Sequence, residues 1–168
     1  MRVIYSLGHS KHPINQFLRL IQHRNVQLLC DVRTHPRSQW TPWFNGPRLE
    51  QALEQAGIGY VWRPELGGLE PRPPAIILET LTGLFRDPRT MALMCSEGDF
   101  RKCHRHYLLA PLIASLGCQV QQITPTGALV ADPGPRQQHH DAVPDDAQGF
   151  LQYTSGKGEL DGGLQAEV

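Results

Sequence analysis

The sequence contains neither a long hydrophobic segment nor a signal peptide. Its first residues, MRVIYSLGHSKHP, have no charged region followed by an apolar run of signal-peptide length. No later stretch approaches the roughly 20 apolar residues that a membrane-spanning helix requires. We therefore expect a cytoplasmic protein with no membrane partner. In that compartment the 4 cysteines are not expected to form a disulfide framework, so each is either a buried hydrophobic residue or a chemical group.

The sequence also lacks a net charge, but its charges are unevenly distributed. Residues 1–126 contain 14 basic and 9 acidic residues, whereas residues 127–168 contain 2 basic and 7 acidic residues. A body of formal charge +5 is thus followed by a tail of formal charge −5. A basic body attracts anionic ligands, although its charge does not identify the partner.

Short apolar runs alternate with segments of helical periodicity, and no internal repeat interrupts this order. The apolar runs predict strands at 2–6, 26–32, 59–62, 91–95 and 119–123. Helices of the length found between them join parallel strands by right-handed crossovers and cover both faces of the sheet. We predict a three-layer α/β domain over residues 1–126, with a mostly parallel sheet of about five strands. Residues 127–168 lose the apolar spacing and predict a mobile tail rich in Gly, Asp, Gln and Pro.

Polar residues follow four of the predicted strands, and parallel α/β sheets bind ligands at the carboxyl ends of their strands. We therefore predict one pocket at this edge. Its candidate catalytic residues are Cys95, Glu97, His9 and Asp31. Its candidate ligand-binding residues are Arg33, Arg37, Asn45, Glu65, Cys103, His104 and Arg105.

The segment 95–106 is the densest in chemical groups. Cys95 can act as a nucleophile if a helix dipole and nearby cations favour its thiolate, or it can be a buried core residue. Glu97 can serve as a general acid or base, or it can cap a helix or pair with Arg105. Asp99 is predicted to cap the helix that follows.

Two cysteine chemistries and a metal site are conceivable for this segment. The spacing of Cys95 and Arg101 is that of a cysteine-phosphatase loop, but Glu97 and Asp99 would repel a bound dianion. Rhodanese-like sulfur transfer meets the same objection, so both rank below an unassigned reaction. Adjacent helical residues point about 100° apart and rarely bind one metal ion together.

A zinc ion would thus need Cys95 and a ligand from another loop, such as His9 or His35. We predict no metal ligand, and the sequence identifies no cofactor. His104 is instead expected to be a hydrogen-bonding group on the inner side of its helix.

The long loop after the second strand combines aromatic and basic residues. Trp40, Trp43 and Phe44 lie near Arg33 and Arg37 in the sequence, with Arg48 a little further on. Stacking surfaces beside cations can hold a nucleotide base. The alternative is a loop that packs its own aromatic residues over the sheet.

Five motifs follow one another along residues 3–124: GHS (8–10), DVRTHPRS (31–38), FN (44–45), PELGG (64–68) and C-x-E-x5-C-H-R (95–105). Together they resemble the family called domain of unknown function 488. This resemblance implies a compact cytosolic α/β domain and no established reaction. The arginine within the family pattern is Arg105 rather than Arg101, which further weakens the phosphatase interpretation.

We predict an enzyme, a hydrolase or transferase dependent on Cys95 or Glu97, that acts on a small anionic or nucleotide-like substrate. The competing hypothesis is a non-catalytic module that binds nucleotides or nucleic acid. The sequence does not determine the oligomeric state.

Overall fold

The computed structural model describes residues 1–70 and 72–135, which form a six-stranded sheet covered by helices. The strands are β1 (Arg2–Gly8), β2 (Leu28–Asp31), β3 (Gly59–Trp62), β4 (Met91–Cys95), β5 (Cys118–Ile123) and β6 (Leu129–Asp132). Their order in the sheet is β3-β2-β4-β1-β5-β6. All neighbouring pairs are parallel except β5 and β6, which are antiparallel. The predicted α/β class and mostly parallel sheet are confirmed.

Four α-helices connect the strands: α1 (Ile14–Gln22), α2 (Gly46–Gln55), α3 (Pro74–Phe85) and α4 (Ala110–Ser115). A turn of π-helix over Arg105–Leu109 leads directly into α4. Short 3₁₀ segments occur at Pro42–Phe44, Pro64–Leu66 and Phe100–Lys102. No helix in the described ranges is long and apolar enough to cross a bilayer.

The strand β6 lies in the stretch that the sequence analysis assigned to the mobile tail. A tight turn at Gly127, whose φ is 87°, returns the chain beside β5. The first three residues of β6 are exposed, so its sequence has no buried apolar pattern from which a strand could be predicted. It is held by pairing with β5 and by its last residue, Asp132, which is buried. The rest of the predicted tail, 136–168, lies outside the described residues.

The two faces of the sheet have separate cores. Helices α1 and α2 pack on one face, against residues that include Leu7, Leu29 and Met94. Helices α3 and α4 pack on the other face, against residues that include Cys30 and Leu93. Because successive side chains of a strand point to opposite faces, this division also determines which polar residues can meet.

The strands β1 and β4 are neighbours, but their following helices lie on opposite faces of the sheet. Such a switch point is where open α/β sheets form ligand crevices. The two loops are joined here by hydrogen bonds from His9 N to Cys95 O (2.8 Å) and from Ser10 N to Ser96 O (3.0 Å). A Cβ at Gly8 would lie 1.8 Å from the Glu97 carbonyl oxygen, so only glycine permits this approach.

Candidate functional site

Three candidate residues meet on the α3/α4 side of the carboxyl edge. Cys95 ends β4 and is 8% exposed. The Nδ1 atom of His104 lies 4.0 Å from the Cys95 Sγ and 3.6 Å from the Cys103 Sγ. These three atoms all lie within 4.8 Å of one another. We call Cys95, Cys103 and His104 the thiol–imidazole cluster.

The backbone before the last helix explains how adjacent residues join this cluster. Asp99 accepts a hydrogen bond from Arg101 N (3.2 Å) and caps the short 3₁₀ segment, not the last helix as predicted. Cys103 is extended, with φ −110° and ψ 145°. The side chains of Cys103 and His104 would diverge by about 100° only if both residues were helical. With Cys103 extended, they can point to the same location.

Arg105 lies beneath the cluster and is 1% exposed. Its Nε donates to Cys103 Sγ (3.2 Å), and its Nη1 donates to Ser6 Oγ (3.0 Å) and Gln122 Oε1 (3.1 Å). Its Nη2 donates to the backbone carbonyl of Glu97 (2.6 Å). Within the described ranges, no carboxylate contacts this guanidinium. The Glu97 carboxylate therefore does not pair with Arg105, the alternative that the sequence left open, and instead accepts a hydrogen bond from Asp99 N (2.9 Å).

A network of hydrogen bonds continues from Arg105 through Gln122 to Asp132. Gln122 Nε2 donates to Asp132 Oδ2 (2.7 Å), and His106 Nδ1 lies 2.7 Å from Asp132 Oδ1. Sequence reasoning missed Ser6, Gln122 and Asp132. The sequence contained a signal for two of them. Ser6 lies two residues after Ile4 and Gln122 two residues after Val120, so each polar residue shares a strand face with a core residue.

The two thiols of the cluster have opposite pKa displacements. The pKa of Cys95 lies below its ordinary value, mainly because of the neighbouring Cys103 thiol and secondarily because of His104. The pKa of Cys103 lies above its ordinary value, mainly because of the neighbouring Cys95 thiol and secondarily because the Cys103 thiol is buried. The pair therefore favours ionisation at Cys95 rather than at Cys103.

His9, Asp31 and Arg33 form a second group on the α1/α2 side. Arg33 Nε donates to Asp31 Oδ1 (2.9 Å), and Tyr60 Oη donates to Asp31 Oδ2 (2.9 Å). The His9 ring stacks on Phe44 at 4.3 Å, and its Nε2 lies 3.3 Å from Arg33 Nη1. Burial is the main cause that lowers the pKa of His9 to about 4. The imidazole is therefore neutral at pH 7.

The predicted site residues thus form two hydrogen-bonded groups, which meet where His9 N donates to Cys95 O (2.8 Å). Asp31 is fully buried, and both of its oxygens accept hydrogen bonds from Arg33. This carboxylate holds the second group together and does not contact the thiol–imidazole cluster. The sequence could have predicted the position of Asp31. Successive side chains of a strand point to opposite faces, so Asp31 must point to the face opposite Cys30.

The loop after β3 belongs to the cluster side. Its Leu66 lies in the core beneath α3 and α4. A Cβ at Gly68 would lie 2.6 Å from the His104 ring, so the glycine lets the loop cover the imidazole. Two buried atoms, Glu65 Oε2 and His104 Nε2, have no hydrogen-bond partner among the described residues.

The other ligand-binding candidates, Arg37 and Asn45, line an open groove on the α1/α2 side. The groove has a volume of about 820 Å³ and is lined by His35, Pro36, Arg37, Asn45, Gly46, Pro47, Arg48, Glu50, Tyr60 and Trp62. Of the loop aromatics, Phe44 is buried in the core and Trp40 is 81% exposed. Trp43 donates from Nε1 to His12 O (2.9 Å). The three aromatic residues therefore do not form one stacking surface.

Fold and site together define an α/β domain with a buried thiol–imidazole cluster and an arginine at the switch point of a parallel sheet. Residues 13–77 match the family model described as domain of unknown function DUF488, which confirms the resemblance over that segment. The match includes Asp31, Arg33 and Glu65, whereas the cluster lies beyond its end. No curated protein and no solved structure matches the chain significantly.

Proposed function

We propose that the protein is an enzyme, a cysteine-dependent hydrolase or transferase, that acts on a small anionic or nucleotide-like substrate. Its active site is the carboxyl edge between β1 and β4. The observation that carries this proposal is the grouping of the Cys95 and Cys103 thiols with His104 directly beside the buried Arg105. Thiols beside an imidazole are the groups that proteins use for nucleophilic chemistry or for metal binding. Both uses make the Cys95 thiol essential.

The charge of Arg105 supports an anionic substrate. A buried charge is costly unless it is paired, and the partners of Arg105 are sulfur, a hydroxyl, an amide oxygen and a backbone carbonyl. These dipoles hold the guanidinium in position without cancelling its charge. An anion at the mouth of the cluster would be stabilised by that charge, and the formal charge of +5 on residues 1–126 acts in the same direction.

Glu97 is the carboxylate best placed for proton transfer in this proposal. It is exposed, follows Cys95 by two residues, and its Oε1 is fixed by Asp99 N at 2.9 Å. An exposed carboxylate on a fixed loop can exchange protons with a substrate and with solvent.

The proposal is tested by turnover of a mixed substrate pool. The full chain is incubated with a mixture of anionic metabolites and nucleotides, and consumption is followed by mass spectrometry. We expect at least one compound to be consumed by the native protein and spared by Cys95→Ser. The matched control is Cys118→Ser, which changes a half-buried thiol at the opposite, amino-terminal end of β5. Equal consumption by native protein and Cys95→Ser would contradict the proposal.

The groove on the α1/α2 side favours a second candidate function, the binding of nucleotides or single-stranded nucleic acid. It places the cationic Arg37 and Arg48 beside the half-exposed ring of Trp62. Cations with a stacking surface bind phosphate and base together. Fluorescence anisotropy with a labelled oligonucleotide tests this function. Affinity should fall with salt and weaken in Arg37→Gln but not in Arg19→Gln, an exposed position on α1. Salt-independent binding would exclude nucleic acid.

A further inference from the structure

We infer that the thiol–imidazole cluster binds a divalent metal ion of the zinc type, with Cys95 Sγ, Cys103 Sγ and His104 Nδ1 as its ligands. The first support is distance. Zn–S bonds of about 2.3 Å and Zn–N bonds of about 2.05 Å in a tetrahedron place sulfur and nitrogen about 3.6 Å apart and two sulfurs about 3.8 Å apart. The observed Sγ to Nδ1 distances are 3.6 Å for Cys103 and 4.0 Å for Cys95, and the two Sγ atoms lie within 4.8 Å of each other. A small inward movement of the side chains would bring all three atoms to bonding distance of one ion.

The second support is the way in which the chain fixes the three ligands. Cys95 is anchored in the central strand β4, and its carbonyl accepts a hydrogen bond from His9 N (2.8 Å). The extended backbone at Cys103 lets consecutive side chains point to one location. The Gly68 loop packs on the His104 ring and fixes its orientation. Support of this kind orients the ligand atoms toward one location.

The third support is the position of Arg105. Its Nε donates to Cys103 Sγ at 3.2 Å, and donors of this kind commonly stabilise metal-bound thiolates. Two thiolates cancel the charge of a divalent ion and leave the positive charge of Arg105. The complete site would therefore keep the preference for an anion on which the proposed function depends.

The composition of the cluster selects the metal and its use. Thiolate and imidazole ligands suit zinc and similar transition metals, whereas Mg²⁺ and Ca²⁺ prefer oxygen ligands. Within residues 1–70 and 72–135, the cluster has three ligating side chains. Structural zinc sites have four protein ligands, and three ligands with one open position are typical of catalytic sites. The open position would accept water or the anionic substrate.

The inference rests on this geometry and does not require the proposed reaction. Its test uses the full chain, stripped of metal with a chelator under reducing conditions and then titrated with Co²⁺ without substrate. We expect one equivalent to bind, with a thiolate-to-cobalt charge-transfer band and the visible bands of tetrahedral coordination. Competition with a chelating dye then measures the Zn²⁺ affinity.

Matched variants identify the ligands. Cys95→Ser and Cys103→Ser should each diminish the charge-transfer band and weaken Zn²⁺ binding by more than about 100-fold, beyond what the loss of an outer-shell partner costs. His104→Gln should weaken Zn²⁺ binding by at least about 10-fold and keep the charge-transfer band. Cys118→Ser should match the native protein.

Absence of the band in the native protein, or an equal band in Cys95→Ser, would overturn the metal site whether or not other variants fold. Because the readout needs no substrate, that failure leaves the turnover test of the proposed function intact. Conversely, a bound metal with no Cys95-dependent turnover would contradict only the proposed function.

Discussion

Replacement of Gly8 by alanine tests the close approach of the two loops that form the site. The new Cβ would lie 1.8 Å from the Glu97 carbonyl oxygen and 2.9 Å from Gly98 Cα, and both are backbone atoms that cannot rotate away. The loops must separate, which weakens the hydrogen bonds of His9 N and Ser10 N to the β4 loop. Two such bonds contribute about 1 kcal/mol each, and overpacking adds about 1–3 kcal/mol.

We therefore expect Gly8→Ala to lower the free energy of unfolding by about 3–5 kcal/mol. Urea denaturation followed by circular dichroism measures this change. Gly83→Ala is the matched control, because Gly83 lies within α3 and a Cβ there meets nothing within 4 Å. It should stabilise the protein by about 0.5–1 kcal/mol, since alanine favours helix. If the free energy of unfolding of Gly8→Ala lies within about 0.5 kcal/mol of the native value, the two loops do not approach each other as closely as described.

Three further predictions concern the second group and its core. Arg33→Gln should lower the free energy of unfolding by about 3–5 kcal/mol, because it leaves the buried Asp31 carboxylate without its ion-pair partner. The control Arg101→Gln breaks an exposed ion pair and should lower it by less than about 1 kcal/mol. Urea denaturation measures both values, and equal losses would contradict this prediction. Phe44→Ala should cost about 3–5 kcal/mol, since its ring is buried against His9; a calorimetric loss below about 1 kcal/mol would contradict this packing. The pKa of His9 is lowered from 6.5 in the unfolded chain to about 4 in the folded protein. As the pH falls from 6.5 to about 4, the unfolded chain binds a proton that the folded protein does not bind, and the free energy of unfolding decreases by up to about 3 kcal/mol. The same pH slope in His9→Gln would refute that assignment.

The parts of the fold that bury apolar side chains could be predicted from the sequence. The predicted strands at 59–62 and 91–95 coincide with β3 and β4, because short apolar runs bounded by loops leave little freedom in their ends. The strand β6 could not be predicted in this way. Its backbone pairs with β5 while most of its side chains remain in solvent, so no hydrophobic signal marks it.

The candidate site was predictable in its location but not in its grouping. Cys95 was expected at the site because ligands bind at the carboxyl ends of parallel strands. His104 was expected on the inner side of its segment, which agrees with its burial. The prediction of one pocket did not use strand parity, which places the side chains of Asp31 and Cys95 on different faces of the sheet. The expectation of no metal ligand at Cys103 and His104 depended on a helix there, whereas the helix begins only at Arg105. Local backbone conformation at such a junction depends on tertiary contacts that spacing does not reveal.

The most direct measurement of the central claim is a thermal-shift screen of anionic metabolites and nucleotides, run in parallel on native protein and Cys95→Ser. A ligand that binds only the folded protein raises its apparent stability. We predict a compound that raises the melting temperature of the native protein and loses most of that effect in Cys95→Ser. If every stabilising compound acts equally on both proteins, the carboxyl edge between β1 and β4 is not the ligand site.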